Sequence, residues 1–236
     1  MKTVLVTGSG KGLGASLIKE FARNNYNVII CYNTSEYEAL KLKSEITNVK
    51  VDIVKCDIGS ELDIINLFDN YKFDILINNA ALSQDDHYLD KAKNEFMKVL
   101  EVNLVGTFLM CKECVKKGVK EIINISSTDS IDTFSDFNID YSASKAGINI
   151  ITKTLGKFDK DIRIIGILPN WINTESIMGM NQDYLDSELK RINQEKLLDK
   201  DEVAKEIYKI YKDKNIESGS LIRIDYEGGL CTRILK

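Results

Sequence analysis

Histidine, proline and tryptophan are almost absent from this chain of 236 residues, in which each occurs once. With His87 as the only histidine, a Ser-His-Asp triad is excluded unless His87 itself is the base. His87 follows the polar run Gln84-Asp85-Asp86 and is interpreted as a solvated loop residue, with a substrate contact as the alternative. No Pro- or Gly-rich linker divides the chain, which predicts a single domain over residues 1–236.

Long apolar runs are missing as well. The first run ends at Gly8 and is too short for a signal peptide or a membrane span. The five cysteines are an odd number in a chain large enough to fold without disulfides, so free thiols in a reducing compartment are expected. Cys111 and Cys114 form a C-x-x-C motif without a second ligand pair, so no metal site is predicted. We therefore expect a cytoplasmic protein without a membrane partner.

The chain also lacks an excess of either charge. Its 32 basic residues nearly balance 36 acidic ones, which gives a formal net charge of -4. A duplex-binding protein usually carries a one-sided basic stripe, so nucleic acid is not an expected partner.

The order of the apolar patterns is typical of an α/β protein. Helical periodicity appears near residues 13–25, 35–46, 60–71, 90–117, 141–157 and 200–213. Between these helices lie short runs rich in β-branched residues, and the predicted strands are Val4–Thr7, Val28–Tyr32, Val51–Cys56, Ile75–Asn78, Ile122–Ser126, Ile162–Leu168 and Leu221–Ile224. Because parallel neighbours need crossover helices, about seven such strands predict a doubly wound parallel sheet with helices on both faces.

The longest segment without a predicted strand runs from Asn170 to Ser218. Its first part, Trp171 to Asp183, has no clear periodicity and follows Pro169 at a strand end, where ligands bind in open α/β sheets. This pattern predicts a substrate lid over about residues 170–198, with a plain surface loop as the alternative.

A glycine-rich turn separates the first predicted strand from the first predicted helix. Its sequence is Thr7-Gly8-Ser9-Gly10-Lys11-Gly12-Leu13-Gly14. Glycine allows the tight turn and the approach of a phosphate, and the helix N-terminus presents free N–H groups to it. The turn predicts a dinucleotide-binding Rossmann domain whose cofactor contacts here are Gly8, Ser9, Lys11, Gly12 and Leu13.

The end of the second predicted strand indicates which dinucleotide binds. An NAD site usually places a carboxylate there, but the sequence Cys31-Tyr32-Asn33-Thr34-Ser35 contains no acid before Glu36. A 2′-phosphate would meet no charge repulsion at Asn33 and Thr34 and could bind Lys11. NADP(H) is therefore the expected cofactor, with NAD(H) as the alternative.

Tyr141 and Lys145 open another predicted helix, in the sequence Tyr141-Ser142-Ala143-Ser144-Lys145. At this spacing the two side chains share one helix face, and an ammonium group near a phenol lowers the pKa of the phenol. The pair can thus serve acid-base chemistry. Taken alone, the spacing is common by chance and favours a structural pair.

In this order, the motifs resemble those of the short-chain dehydrogenase/reductase family in its single-domain form. The resemblance extends from the glycine turn to the closing strand near Gly219 to Asp225. Asp57, beside Ile58, matches the family's adenine-contacting acid, and Asn78-Asn79-Ala80 matches the Asn-Asn-Ala run that borders the cofactor. Further matches are Asn103 in its helix, Ser127 in Ile123-Asn124-Ile125-Ser126-Ser127, and the run Pro169-Asn170-Trp171-Ile172-Asn173-Thr174.

The resemblance implies an oxidoreductase that moves a hydride between nicotinamide and a carbonyl or alcohol. It implies that Ser127 polarises the carbonyl and that Tyr141 donates the proton. Lys145 would hold the nicotinamide ribose and Asn103 a proton-relay water. The cofactor contacts it implies include Asn79, Ala80, Tyr141, Lys145, Pro169, Ile172 and Thr174. Ala81 and Asn170 stand where the family usually has glycine.

Other interpretations use the same motifs. The main alternative is a sensor or scaffold that binds NADP(H) without turnover; epimerases of nucleotide sugars and glycine-rich methyltransferases are more remote. Among family members, 3-oxoacyl-carrier-protein reductases are closest in pattern, and a ketone reductase is expected. Asp129, Asp132, Asp136 and Asp140 would repel an acidic carrier at the mouth of the site, unless they are only solvated loop charges. The resemblance also implies a homotetramer or homodimer formed through residues 90–117 and 141–157.

Overall fold

One eight-stranded sheet forms the centre of the computed structural model, which describes residues 1–235 and leaves Lys236 outside. The strands, in chain order, are β1 (Thr3–Val6), β2 (Asn27–Tyr32), β3 (Val51–Lys55), β4 (Ile75–Asn78), β5 (Glu121–Ile125), β6 (Arg163–Pro169), β7 (Leu221–Tyr226) and β8 (Leu230–Leu235). Their spatial order is β3-β2-β1-β4-β5-β6-β7-β8. The order reverses between β1 and β4, and a crevice forms at such a point, beyond the carboxyl ends of the strands.

The central strands are apolar on both faces because helices cover both. Val4, Leu5 and Val6 of β1 have no exposed surface, and neither do Ile75 and its two successors in β4. Alternate residues point to opposite faces, so Val4 and Val6 join one core cluster while Leu5 joins the other. This double burial confirms the predicted doubly wound parallel sheet.

Helices cover both faces of the sheet. The α-helices of the described residues are α1 (Gly12–Arg23), α2 (Glu36–Glu45), α3 (Glu61–Asn70), α4 (Lys93–Leu100), α5 (Thr107–Lys117), α6 (Ile139–Phe158), α7 (Glu175–Met178), α8 (Gln182–Arg191) and α9 (Lys200–Lys212). A π-helical segment, Glu101–Gly106, joins α4 to α5, and a 3-10 turn, Thr128–Ser130, follows β5. None of these helices is long and apolar enough to cross a membrane.

The sheet has one strand more than the seven that the sequence marks, because β8 pairs antiparallel with β7 at the edge of the sheet. Gly228, at φ 64°, turns the chain between the two strands. As an edge strand β8 is exposed over its middle residues, so its sequence lacks the continuous apolar run that marks the buried strands.

The helix predicted over residues 90–117 is interrupted by the π-helical segment. Gly106 lies against the Ile58 carbonyl, where an added Cβ would stand 2.4 Å from the oxygen. Asn103 is fully buried in the same segment. Segments of this type are frequent at functional sites because they redirect a side chain without ending the helix.

The predicted lid has more regular structure than its sequence suggests. It contains α7 and α8, so the range Trp171 to Asp183 is not a plain loop. A parallel bridge between Ile172 and Leu198 joins the two ends of the segment. The segment is therefore anchored at its base, beside the end of β6.

Candidate active site

The glycine turn between β1 and α1 provides an open helix N-terminus. Gly8 has φ 61°, and a Cβ there would lie 2.7 Å from the Ala80 Cα. Gly12, at φ 59°, is the first residue of α1, and the side chain of Lys11 does not cap the helix. The positive φ angles favour glycine at Gly8 and Gly12. No side-chain cap occupies the N–H groups of the first turn of α1, whereas the Ser9 N–H donates to the Cys31 carbonyl at 2.9 Å. These features fit the pyrophosphate of a dinucleotide.

Thr7 and Asn79 join the ends of β1 and β4. The Thr7 hydroxyl accepts the N–H groups of Asn79 and Ala80, both at 3.0 Å. The Asn79 amide donates in return to the Thr7 carbonyl at 3.0 Å and to the Gly8 carbonyl at 3.2 Å. The structure thus brings Asn79 and Ala80 against the glycine turn.

The predicted adenine and ribose contacts lie beside the same turn. Asn33 and Thr34 are exposed after β2, and a Cβ on Gly10 would meet the Ser35 hydroxyl at 2.2 Å. Asp57 follows β3 and accepts the Gly59 N–H at 2.9 Å, whereas Ile58 beside it is buried. The first carboxylate after β2 belongs to Glu36, and burial together with this nearby carboxylate raises the pKa of the Tyr32 hydroxyl.

Tyr141 and Lys145 face one cavity from the first turns of α6. The Lys145 ammonium lies 5.3 Å from the centroid of the Tyr141 ring and donates to the Ile125 carbonyl at 2.8 Å. Ser127 follows β5, and its Oγ accepts the Asp129 N–H at 3.1 Å. This bond leaves the Ser127 hydroxyl proton available to a ligand or to Tyr141.

Burial controls the protonation of this pair. Loss of water raises the pKa of Tyr141 well above its usual value, and the Asp129 carboxylate adds to this, while a hydrogen bond from Ser127 opposes it. Burial lowers the pKa of Lys145 to about 8, against a smaller opposite effect of Asp129. The pKa of Tyr141 is thus raised, whereas the Tyr141/Lys145 spacing predicts a lowered pKa, and Tyr141 is a protonated phenol at neutral pH. A protonated phenol is the form that donates a proton.

Asn103 is placed behind the cavity and not in its wall. Its amide oxygen accepts the Leu82 N–H at 2.7 Å, and its amide nitrogen donates to the Leu82 carbonyl at 2.8 Å. The same nitrogen donates to Ser144 at 3.1 Å, and the Ser144 hydroxyl donates to the Tyr141 carbonyl at 2.7 Å. Asn103 therefore ties the loop after β4 to the turn that carries Tyr141.

A second connection, which the sequence did not reveal, is the buried ion pair between Lys91 and Asp140. Their side chains are 2% and 0% exposed and meet at 2.9 Å. Lys91 also donates to the Gln84 carbonyl, and Asp140 accepts the Tyr141 N–H at 2.9 Å. The backbone of Tyr141 is thus fixed at its N–H by Asp140 and at its carbonyl by Ser144. Neither residue belongs to a recognisable motif, so only the fold shows the pair.

The start of the lid lies over the cofactor turn. Gly12 is close to Thr174, whose Cγ2 would lie 3.6 Å from an added Cβ. Asn170, in place of the family's glycine, donates to Asp225 at 3.2 Å and accepts from Thr128 at 3.2 Å. Trp171 faces the cavity, and its backbone is held by the buried Gln194. Asn170, which stands in place of glycine, thus adds contacts at the base of the lid.

The cavity has a volume of about 270 Å³ and lies at the carboxyl ends of the central strands. Seven predicted cofactor contacts line it: Leu13, Asn79, Tyr141, Lys145, Pro169, Ile172 and Thr174. Lys11 and Gly12 line an adjoining groove together with Glu175. The wall also includes residues that the sequence did not single out as contacts: Phe137, Asn138, Met180 and Tyr184.

The interpretation of the four aspartates as solvated loop charges is wrong for two of them. Asp129 and Asp140 are 4% and 0% exposed. Asp132 and Asp136 are exposed and pair with Arg223 and His87. Their spacing in the sequence could not separate the buried pair from the exposed pair, because this segment has no periodicity.

His87 connects two loops beside the cavity. Its ring lies 4.6 Å from that of Tyr88 and 5.6 Å from that of Phe137, and its Nε2 is 3.6 Å from Asp136. Within residues 1–235, no cluster of side chains suits a metal ion. Cys111 and Cys114 are buried thiols, as are Cys31 and Cys56.

The chain is similar to known proteins over most of its length. The family model described as short chain dehydrogenase matches residues 2–185. The chain is 35% identical to 3beta-hydroxysteroid dehydrogenase 1 of Eggerthella lenta, over 73% of this chain and 71% of that protein. It is 32% identical to the 3-oxoacyl-(acyl-carrier-protein) reductase of Aquifex aeolicus, over 77% and 78% of the two chains. A short chain dehydrogenase structure from Bacillus anthracis superposes with a TM-score of 0.83 at 26% identity, covering 95% and 94%.

Proposed function

The chain belongs to the short chain dehydrogenase family and is an oxidoreductase of CH–OH or C=O groups, and we propose that it is an NADP(H)-dependent reductase of ketones. One observation carries the proposal. The Ser127 and Tyr141 hydroxyls and the Lys145 ammonium face one cavity beside a glycine turn that fits a dinucleotide. A protein that only binds the cofactor has no need of a buried proton donor.

The residues of this chain divide the reaction among them. Ser127 donates a hydrogen bond to the substrate oxygen, and Tyr141, protonated at neutral pH, donates the proton that the new alkoxide takes up. Lys145 holds the ribose next to the reacting groups. A bound nicotinamide supplies the hydride. Asn103 and the Lys91–Asp140 pair keep Tyr141 in place from behind the cavity.

The preference for NADP(H) is supported by the rim of the adenine side. Asn33 and Thr34 offer an exposed amide and hydroxyl, and Lys11 lies exposed on the glycine turn. The first acid after β2 is Glu36, which lies beyond these two residues at the start of α2. A 2′-phosphate therefore finds donors and one cation at this rim.

We also propose a homo-oligomer, a tetramer or a dimer. Helices α4, α5 and α6 and the segment between them expose large apolar side chains: Met97, Val105, Phe108, Val115 and Ile150. Large exposed apolar side chains on neighbouring elements are typical of subunit interfaces.

The proposed activity is tested with a panel of ketones, each mixed with NADPH or NADH, by following the absorbance of the reduced cofactor. We expect turnover of at least one ketone, with a higher kcat/KM for NADPH than for NADH. Tight NADPH binding without turnover of any ketone or alcohol would support a sensor or scaffold instead.

A further inference from the structure

One carboxylate in the cavity wall has no part in the proposed mechanism. Asp129 lies in the 3-10 turn after Ser127, lines the cavity and is 4% exposed. Its Oδ1 accepts the Thr133 hydroxyl at 2.5 Å, and its Oδ2 accepts the Asn138 amide at 3.0 Å. A buried, ionisable group beside a reaction site calls for a function or a compensating partner.

The protein satisfies this carboxylate only in part. An ionised carboxylate has about four acceptor positions, and the protein fills two of them. Burial raises the pKa of Asp129 because the charged form has lost water, although Thr133, Asn138 and Arg191 act in the opposite direction. A ligand that donates a hydrogen bond to Asp129 would replace part of the lost hydration.

Asp129 is close to the reacting groups. Its own N–H donates to the Ser127 Oγ at 3.1 Å. Its carboxylate acts electrostatically on both Tyr141 and Lys145, and it raises the pKa of each. A substituent held by Asp129 would therefore lie next to the substrate oxygen that Ser127 and Tyr141 bind.

Negative charge predominates around the cavity. Asp85 lines it together with Asp129, and Lys145 is the single cation among the described lining residues. That ammonium already donates to the Ile125 carbonyl. Arg191 lies nearby on α8, but it pairs with Glu188 at 2.7 Å and donates to the Phe134 carbonyl. An anionic substituent would thus meet two carboxylates without a free cation.

From this geometry we infer that Asp129 selects the substrate. The substrate is a ketone with a hydrogen-bond donor, a hydroxyl or an ammonium group, beside the reacting carbonyl. It carries no carboxylate or phosphate at that position. The inference rests on the proposed reductase function and adds the substrate class to it. Phe137, Trp171 and Tyr184 line the same cavity and suit the carbon skeleton of such a compound.

Four freshly prepared cyclohexanones, each with one substituent on the carbon next to the carbonyl, test the inference: 2-methylcyclohexanone, 2-hydroxycyclohexanone, 2-aminocyclohexanone as its ammonium form, and 2-oxocyclohexanecarboxylate. We compare kcat/KM with NADPH for the wild type, Asp129→Asn and the control Asp132→Asn, which lies in the same loop but is exposed. The wild type should prefer the hydroxyl or ammonium ketone over the methyl ketone by roughly 10-fold or more, the size expected for a hydrogen bond to a charged group. The carboxylate should be the poorest substrate.

Asp129→Asn should remove the donor preference and raise the rate with the carboxylate, whereas Asp132→Asn should change neither. A wild-type preference confined to the ammonium ketone would identify a cationic substrate. A wild-type preference for the hydroxyl ketone would identify a polyol-like substrate. A wild type that prefers the methyl or carboxylate ketone overturns the inference and leaves the reductase function standing; this result needs no variant. A donor preference that survives in Asp129→Asn also overturns it. Failure of the wild type to reduce any ketone overturns the proposed function and the inference together.

Discussion

At the scale of single residues, Lys145 combines a functional position with a cost in stability. Its side chain is buried, and the pKa falls from 10.5 to about 8 in the folded protein. The unfolded chain therefore binds the proton more tightly, so this group destabilises the fold below pH 8, and the effect disappears as the pH rises toward 10.5. The fold would be more stable without this buried charge.

Lys145→Met should raise the free energy of unfolding at pH 7 by about 1 to 3 kcal/mol, because it removes a desolvated charge. The lost bond to the Ile125 carbonyl offsets part of this gain. Urea unfolding at pH 7 and pH 10 measures it, and the gain should shrink at the higher pH. Lys153→Met, an exposed change on the same helix, should stay within about 0.5 kcal/mol of the wild type. A Lys145→Met protein that is less stable at pH 7 would contradict this account.

For the ion pair between Lys91 and Asp140, we expect replacement of the lysine to lower the free energy of unfolding. Lys91→Met leaves a buried carboxylate without its cation, and we expect a loss of about 3 kcal/mol in the free energy of unfolding. Lys117→Met breaks an exposed pair with Asp69 and should cost much less, because water screens an exposed ion pair. Thermal or urea unfolding of both variants decides between them. Equal losses would show that burial of the pair has no energetic consequence.

At the scale of elements, the glycine turn depends on close approach between two strand ends. Gly8→Ala places a Cβ 2.7 Å from the Ala80 Cα at φ 61°, so we expect loss of the fold or of cofactor binding. Gly118, at the end of α5, also has a positive φ of 75° but has no atom within 4 Å of its Cβ position. Gly118→Ala should therefore cost only about 1 kcal/mol. Circular dichroism and NADPH titration measure both variants, and a folded, NADPH-binding Gly8→Ala would refute the crowding.

The sequence predicted those elements whose pattern has one strong physical cause. Strands β1 and β4 are buried on both faces and stand out as apolar runs, and the glycine turn is marked by residues that no other side chain can replace. Strand β8 was missed because an exposed edge strand has no such run. The burial of Asp129 and Lys91 was missed for a related reason: it depends on contacts between distant segments, and local sequence does not encode them.

At the scale of the whole molecule, the apolar side chains on α4 to α6 lead to a prediction about assembly. Phe108 is 47% exposed and Val105 is 45% exposed on this surface. We expect a tetramer or dimer by sedimentation at micromolar concentration, and a shift toward monomer in Phe108→Asp, because the new charge would be buried in the interface. Leu62→Asp, at an exposed apolar residue of α3, is the control. A wild type that sediments as a monomer would contradict the prediction.

The central claim is that the molecule is a reductase in which Tyr141 supplies the proton. The most direct test is kcat of Tyr141→Phe with a ketone and NADPH, measured together with the Kd for NADPH. Tyr88→Phe, an exposed tyrosine outside the cavity wall, is the matched control. We predict that Tyr141→Phe lowers kcat by at least about 100-fold, the range of general acid catalysis, while the Kd for NADPH stays nearly unchanged and Tyr88→Phe keeps its activity. A Tyr141→Phe protein that reduces the ketone at a rate near that of the wild type would contradict the account.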